Sequence, residues 1–329
     1  MIAGRAGWKL AGALALAAAA SVAAQNANIT RPIAELERQL AAEPMVITQA
    51  EISRPKARGD ITLRADVSFA GAPPLRVKLR KAERGADVFN NVPRYDAAAY
   101  ELQKLFLDPD EYVVPPTLLR MVPLADLQKY SATVRVAPTF NGADQVLAVL
   151  QYWLSDIKVI ADVYNPQRFA ADPLYARHIG QLNVLTYLVN HRDSNAGNFL
   201  IGTEAVGARV FSIDHGVAFD SQPSDRGELW KLMRVNRLPA DLVEKLRAIT
   251  EQTLQERLGV VAQWRLEGGR FVPVPPGRNL APERGVRKIG NDLQMGLKRT
   301  EIADVQRLLT NLLEQVDRGR ITLAPVPPG

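Results

Sequence analysis

The chain has 329 residues, no cysteine and a formal net charge of +6 at pH 7, from 41 Lys and Arg against 35 Asp and Glu. Its length suffices for one large domain or two lobes with a sizeable core. The lack of cysteine excludes disulfides, thiolate nucleophiles and zinc sites built on cysteine. The basic charges are spread along the chain, without a basic block or an aromatic-interleaved stripe, so no nucleic-acid partner is expected.

The first 24 residues have the features of a secretory signal peptide. Arg5 and Lys9 supply a positive start, an Ala- and Leu-rich run follows at 10–22, and small residues at 21–24 offer a cleavage site before Gln25. The apolar run is short for a membrane span, and an uncleaved signal anchor is the alternative. We expect an exported protein, in a bacterial periplasm or secreted, since a disulfide-free chain fits a bacterial envelope. Loss of this segment would lower the net charge to +4.

A short helix and three strands are predicted next. Apolar residues at helical spacing indicate an amphipathic helix over 33–40. Three strand-like runs follow, at 45–53, 61–69 and 75–82, separated by Pro and Gly turn residues. An antiparallel sheet is therefore expected in the first part of the fold.

The third run alternates between apolar and basic residues. Leu75, Val77 and Leu79 should face one side of the strand, and the basic residues the other. The basic residues are Arg76, Lys78 and Arg80. A solvated charged face would explain them without any further function.

The remaining elements are predicted with less uniform patterns. A helix is indicated over 96–107, whereas the run 146–154 is apolar on both faces and could be a buried strand or a buried helix. Further on, 239–258 is strongly helical, 261–274 contains a Gly-Gly hairpin signal, and 301–317 is a long amphipathic helix before a Pro-rich tail at 322–329. We expect a β-rich lobe over 25–150 and a mainly helical lobe over 151–321.

One motif stands apart from these structural patterns. His191, Arg192 and Asp193 are followed after four residues by Asn198, and Asp214 begins an Asp-x-Gly downstream. Apolar residues at helical spacing precede the motif, and short apolar runs at its end indicate two strands. Two such strands would hold Asn198 and Asp214 close enough to share a cation, and their oxygen ligands suit Mg²⁺.

The motif resembles the catalytic and metal loops of kinases. The segment 185–199 is similar to the catalytic segment of phosphatidylinositol 3/4-kinase-like kinases and secretory-pathway kinases of the four-jointed type. Those families have D-R-H-x-x-N, a strand and then I-D-x-G, and this chain departs from them at Ser194 and Asn195. The resemblance implies an α+β, bilobal protein-kinase-like fold, with a small antiparallel-sheet N-lobe and a mainly helical C-lobe.

The resemblance also implies the roles of individual residues. Asp193 would orient the acceptor hydroxyl, while Asn198 and Asp214 would bind Mg²⁺ or Mn²⁺ together with ATP. Lys78 is the candidate for the lysine of the third strand, which holds the nucleotide phosphates, and Lys81 is its runner-up. No G-x-G-x-x-G loop lies between the first two strands, where Gly59 is the only glycine.

The resemblance to the secretory-pathway kinases implies two further site residues. There an acidic residue, a small-small-aromatic triplet and a V-P-P motif occur in succession, and Asp96, Ala98-Ala99-Tyr100 and 114–116 fall in those positions. Asp96 would then pair with Lys78; Glu101 is the alternative, about 140° further round the helix. Gln151 would lie at the hinge beside the adenine. Without a functional role, Asp96 would be an acidic residue in the first helical turn, near the positive end of the helix dipole. The segment around Gln151 would then serve only to pack the core.

Two functions from different classes fit these expectations. The first is an exported phosphotransferase that moves a phosphoryl group from Mg-ATP to an unknown hydroxyl acceptor, on a protein, lipid headgroup, sugar or other small molecule. Transfer of a nucleotidyl group would use similar parts. The second is a pseudokinase, a binding or scaffold protein of the envelope, because an exported protein lies outside the main ATP pool.

Overall fold

The computed structural model describes residues 27–53, 62–88, 92–130, 136–221, 227 and 229–325. The predicted signal segment and the turn around Gly59 lie outside these residues. Among the described helices, none has the length and apolar character needed to cross a membrane.

Helices and strands alternate irregularly along the described chain. The helices are α1 (Ile33–Ala41), α2 (Pro93–Gln103), α3 (Leu124–Gln128), α4 (Pro166–Ala171), α5 (Pro173–Leu188), α6 (Ala240–Arg247), α7 (Glu251–Leu258) and α8 (Arg299–Asp317). The strands are β1 (Met45–Ile52), β2 (Thr62–Phe69), β3 (Leu75–Lys81), β4 (Thr117–Pro123), β5 (Gln145–Tyr152), β6 (Ile157–Lys158), β7 (Phe199–Gly202), β8 (Val210–Ser212), β9 (Arg237–Pro239), β10 (Ala262–Glu267), β11 (Arg270–Val274), β12 (Val286–Ile289), β13 (Asp292–Met295) and β14 (Thr322–Ala324).

Five antiparallel strands form the N-terminal sheet in the order β1-β2-β3-β5-β4. The three predicted strands are its first three members. The ambiguous apolar run is strand β5, which lies between β3 and β4 and is buried along its whole length. Burial on both faces explains why it showed no alternation.

The alternation predicted for β3 is present. Leu75, Val77 and Leu79 are buried in a core cluster that also contains Leu36 and Leu40 of α1. On the opposite face, Lys78 lies across from Gln151 of β5. Because directly paired residues of antiparallel strands share one face, the sheet presents these two polar side chains together.

Helix α2 begins at Pro93, three residues before the predicted start, and ends at Gln103 instead of Leu107. Pro93 is at the first helical turn, where its missing N–H costs nothing. After the helix, the Gln103 side chain accepts hydrogen bonds from the backbone N–H groups of Val113 and Val114, both at 2.9 Å, and donates to the Val114 carbonyl at 2.9 Å. This side chain therefore joins the end of α2 to the Val-Pro-Pro segment.

The second half contains more strands than predicted. The expected hairpin is β10–β11, with Gly268 and Gly269 at φ +53° and +76°, but β12 and β13 extend it to a four-stranded sheet. The predicted helix over 239–258 is divided into α6 and α7, because Thr250 interrupts it and caps α7. Residues 322–324 of the Pro-rich tail form β14, which pairs in parallel with β9.

The α+β class, the antiparallel-sheet N-lobe and the mainly helical C-lobe are confirmed. Helices α5, α6, α7 and α8 contribute to one large buried cluster, which α2 also joins. The N-terminal sheet has its own core against α1. The site residues lie where the sheet, α2 and the loops after α5 meet.

Candidate active site

Helix α5 leads into the predicted catalytic loop, residues 191–198. Asp172 caps its start by accepting the Tyr175 N–H at 3.0 Å, and the helix ends just before Asn190, which has a left-handed φ of +49°. The His191 N–H then bonds back to the Thr186 carbonyl at 2.9 Å. The chain thus turns sharply off a buried helix and places Asp193, which is 4% exposed, in the loop.

Asp193 and Asn198 are in direct contact. The Asn198 Nδ2 donates to the Asp193 backbone carbonyl at 2.8 Å and to its Oδ2 at 3.2 Å. The Asn195 Nδ2 donates to the Asp193 Oδ1 at 3.0 Å. Asn195, where the sequence departs from the kinase pattern that it resembles, therefore helps to orient the carboxylate. The five-residue spacing brings Asp193 and Asn198 together as predicted.

Asp214 lies beside Asn198. The Ile213 N–H donates to the Asn198 carbonyl at 3.0 Å, so the backbone of one loop bonds to the backbone of the other just before Asp214. Asp214 has a left-handed φ of +63°, and its side chain is 36% exposed. A non-glycine residue in this region is uncommon, and such backbone outliers concentrate at functional sites.

Arg80, not Lys78, is the ion-pair partner of Asp96, which corrects the predicted pairing. The Arg80 Nη2 contacts the Asp96 Oδ2, and its Nη1 contacts the Asp214 Oδ1 at 2.5 Å. Lys78 contacts the other oxygen of Asp214, at 3.4 Å. Same-face residues of a strand are about 6.6 Å apart, so Arg80 and Lys78 point to the same cleft. Both contact Asp214, and Arg80 also contacts Asp96.

The sequence contained a signal for Arg80, because it shares the basic face of β3 with Lys78. The pattern did not decide between them, since the choice depends on how far α2 lies from each. A glycine two residues after Asp214 fits the same arrangement: a Cβ at Gly216 would lie 3.0 Å from the Arg80 Nη2 and 3.1 Å from its Nη1. Gly216 leaves room for the guanidinium.

Asp96 also binds the predicted metal loop, residues 213–216. Its Oδ1 accepts the His215 backbone N–H at 2.9 Å. Burial raises the pKa of the Asp96 carboxyl, while the neighbouring Arg80 acts in the opposite direction. A buried carboxylate is retained here because a guanidinium and an N–H group satisfy it.

Two buried imidazoles lie beneath these groups. The rings of His191 and His215 are 4.9 Å apart, and the His215 Nε2 is 3.0 Å from the Ser212 Oγ. Burial lowers the pKa of His191 to about 4 and that of His215 well below its ordinary value. Both rings are therefore neutral supports of the two loops at physiological pH.

The remaining predicted residues are placed less directly. Gln151 is buried next to Lys78, and its Nε2 donates to the Thr117 Oγ1 at 2.8 Å. Lys81, the runner-up, pairs with Glu83 at 2.7 Å on the other face of β3. Glu101 pairs with Lys104 at 2.5 Å and with Arg257 at 3.2 Å. Neither Lys81 nor Glu101 makes a described ion pair with the site.

The donor set fits a magnesium ion. Asn198 uses its amide nitrogen on Asp193, so its amide oxygen, with the partly exposed Asp214 carboxylate, would supply two hard oxygen ligands. No cluster of three or more His, Cys, Asp or Glu in the described part of the chain could hold a metal. Magnesium bound through one or two side chains and substrate phosphates needs no such cluster.

No protein-family model and no curated protein matches this chain. Among solved structures, the chain is similar to a MAP kinase from Leishmania major, with 16% sequence identity and a TM-score of 0.28. The similarity covers 70% of this chain and 57% of that kinase, so the chain spans little more than half of the kinase.

Proposed function

We propose that this protein is an exported, atypical kinase-like phosphotransferase, related in its site to the phosphatidylinositol 3/4-kinase-like and four-jointed kinases, that uses ATP with Mg²⁺ or Mn²⁺. The observation that supports the proposal most is the convergence of three residues. Asn198 bonds to Asp193 through its side chain, and through its backbone to the residue before Asp214. Export through the predicted signal segment is part of the proposal.

Each residue has a separable task in this proposal. Asp193, whose two carboxylate oxygens accept amide hydrogen bonds, orients the acceptor hydroxyl and accepts its proton. Asn198 and Asp214 hold the metal ion, which would neutralise charge on the phosphates when bound. Lys78 and Arg80 supply further positive charge in the cleft, and Gln151 lines it beside Lys78. Catalysis then rests on positioning and charge stabilisation.

Replacing the acceptor-orienting carboxylate tests the proposal. Asp193→Ala should abolish Mg²⁺-dependent consumption of ATP, because no base is left in the loop, while ATP binding persists through Lys78 and Asp214. Activity is measured as phosphate release, with water as the acceptor, and binding by calorimetry. Asp126→Ala, on α3 and far from the cleft, is the control. Undiminished turnover in Asp193→Ala would remove the role assigned to this residue.

A second candidate, a binding or scaffold protein without turnover, has one observation in its favour. Both carboxylate oxygens of Asp214 contact cations, Arg80 and Lys78, so a metal ion must compete for them. ATP binding without any ATP consumption would support this candidate. ATP labelled on the α- or the γ-phosphate separates the two catalytic alternatives, because nucleotidyl transfer labels the acceptor from the α-phosphate only.

A further inference from the structure

A buried charged cluster joins the first turn of α2 to the first turn of α8. The Arg94 Nη1 and Nη2 contact the Glu301 Oε2 and Oε1 at 2.5 Å and 2.9 Å, and the Tyr95 hydroxyl donates to the Glu301 Oε1 at 2.6 Å. Asp87 accepts from the Arg94 Nε at 2.6 Å. The Arg94 and Glu301 side chains are 2% and 0% exposed. This bidentate pair is one of the few fully desolvated ion pairs among the described residues.

The surroundings of Arg94 leave it little freedom. Its guanidinium lies over the Tyr95 ring, at 4.4 Å from the centroid. Gly285 is packed against it so closely that a Cβ there would overlap the Arg94 Nε and Cζ. Burial would raise the pKa of Glu301, but the hydrogen bond and charge of Arg94 outweigh it, and the pKa is lowered. Glu301 is therefore held as a carboxylate at a fixed position.

The same turn of α2 leads directly to the candidate active site. Asp96 follows Arg94 by two residues and holds Arg80 and the His215 N–H. Just before the helix, the Val92 N–H bonds to the Gly216 carbonyl at 3.3 Å. The Tyr95 ring lies 5.1 Å from that of Phe219, in the segment that follows the metal loop. The position of this one turn thus sets the position of Asp96.

We propose that Arg94 and Glu301 are positioning residues for the metal loop. They anchor α2 to the C-lobe, so that Asp96 keeps Arg80 and the His215 N–H in place for the cleft. The functional consequence rests on the phosphotransferase proposed above, whereas the anchoring itself does not.

Hydrogen exchange of the unliganded full chain tests the anchoring. In Glu301→Gln, which keeps the shape and removes the charge, the His215 amide should exchange about tenfold faster relative to the core amides of α5. The matched control is Asp241→Asn, which breaks the half-buried pair of Asp241 with Arg177, at 2.6 Å, on the other side of the C-lobe. It should leave that ratio unchanged, although it destabilises the protein as well.

A second variant and a second readout keep the test decisive. If Glu301→Gln does not fold, Tyr95→Phe replaces it as the test variant. Tyr95→Phe removes one hydroxyl from the cluster and should change the exchange ratio in the same direction. Affinity for Mg²⁺-ATP should fall about tenfold in Glu301→Gln and stay unchanged in Asp241→Asn. An unchanged exchange ratio, or an equal change in the control, overturns the anchoring. If the wild-type chain does not bind Mg²⁺-ATP, the proposed function is overturned. The hydrogen-exchange ratio then still tests whether Arg94 and Glu301 anchor α2.

Discussion

Arg80 is the residue on which the charges of the cleft converge. It bridges two carboxylates from different parts of the chain, Asp96 of α2 and Asp214 of the metal loop. A lysine has a single ammonium head and would satisfy such a bridge less well than the planar guanidinium. The sequence pattern identified the cleft-facing side of β3 and the proximity of Asp193 to Asn198. It missed the bridge because the distance from β3 to α2 depends on tertiary packing.

Removing Arg80 should destabilise the fold strongly. Arg80→Met leaves Asp96 buried without its cation, and breaking a buried pair in this way costs about 3–5 kcal/mol. Arg76→Met is the matched control on the same strand face, because Arg76 is half exposed and its pair with Asp66 should contribute about 0–1 kcal/mol. Urea unfolding of both variants measures the difference. Equal losses would show that the bridge does not stabilise the fold.

At the scale of elements, α2 is held at both of its ends by side-chain contacts, those of Arg94 with Glu301 at its start and those of Gln103 at its end. Gln103 closes the C-terminal end against the Val-Pro-Pro segment, and the Ser212 N–H at the end of β8 bonds to the Val113 carbonyl at 2.8 Å. Long periodic elements such as α5 and α8 were predictable because their apolar faces repeat over many residues. The four-residue strands β12 and β13 were not, since a segment so short shows its partners only after folding.

Gln103→Leu tests this contact at the end of α2. The change leaves two buried N–H groups, of Val113 and Val114, without an acceptor, and each unsatisfied group costs about 1–3 kcal/mol. We expect a loss of roughly 2–6 kcal/mol in the free energy of unfolding by urea. Gln252→Leu, on the exposed face of α7, serves as the control and should change stability little. A loss no larger than that of the control would contradict the role of Gln103.

At the scale of the molecule, the three histidines make the fold sensitive to acid. All are largely buried, and burial lowers the pKa of His178, like that of His191, to about 4. The unfolded chain therefore binds more protons than the folded chain below pH 6.5. The contribution of the neutral histidines to the free energy of unfolding is complete above pH 6.5 and is lost as the pH falls toward about 4.

His178→Gln isolates one of these groups away from the site. The His178 Nδ1 lies 3.3 Å from the Ala208 carbonyl oxygen. His178 is in the N-terminal half of α5, away from the end that leads into the predicted catalytic loop. The slope of the unfolding free energy between pH 5.5 and 4.5 should decrease by about 1.4 kcal/mol per pH unit in the variant. Urea unfolding at a series of pH values gives the slope. An unchanged slope would mean that His178 is protonated in the folded protein.

In the proposed function, Asp214, with Asn198 and Asp193, forms a metal-dependent nucleotide site. Thermal unfolding of the protein with and without Mg²⁺-ATP, beside Asp214→Ala, measures whether this site exists. Ligand at a hundred times its dissociation constant should stabilise the wild type by about 2.7 kcal/mol, and the variant should lose this gain. Asp66→Ala, in an exposed pair with Arg76 in the N-terminal sheet, should keep it. No stabilisation of the wild type, or equal stabilisation of Asp214→Ala, would rule out a nucleotide site at Asp214.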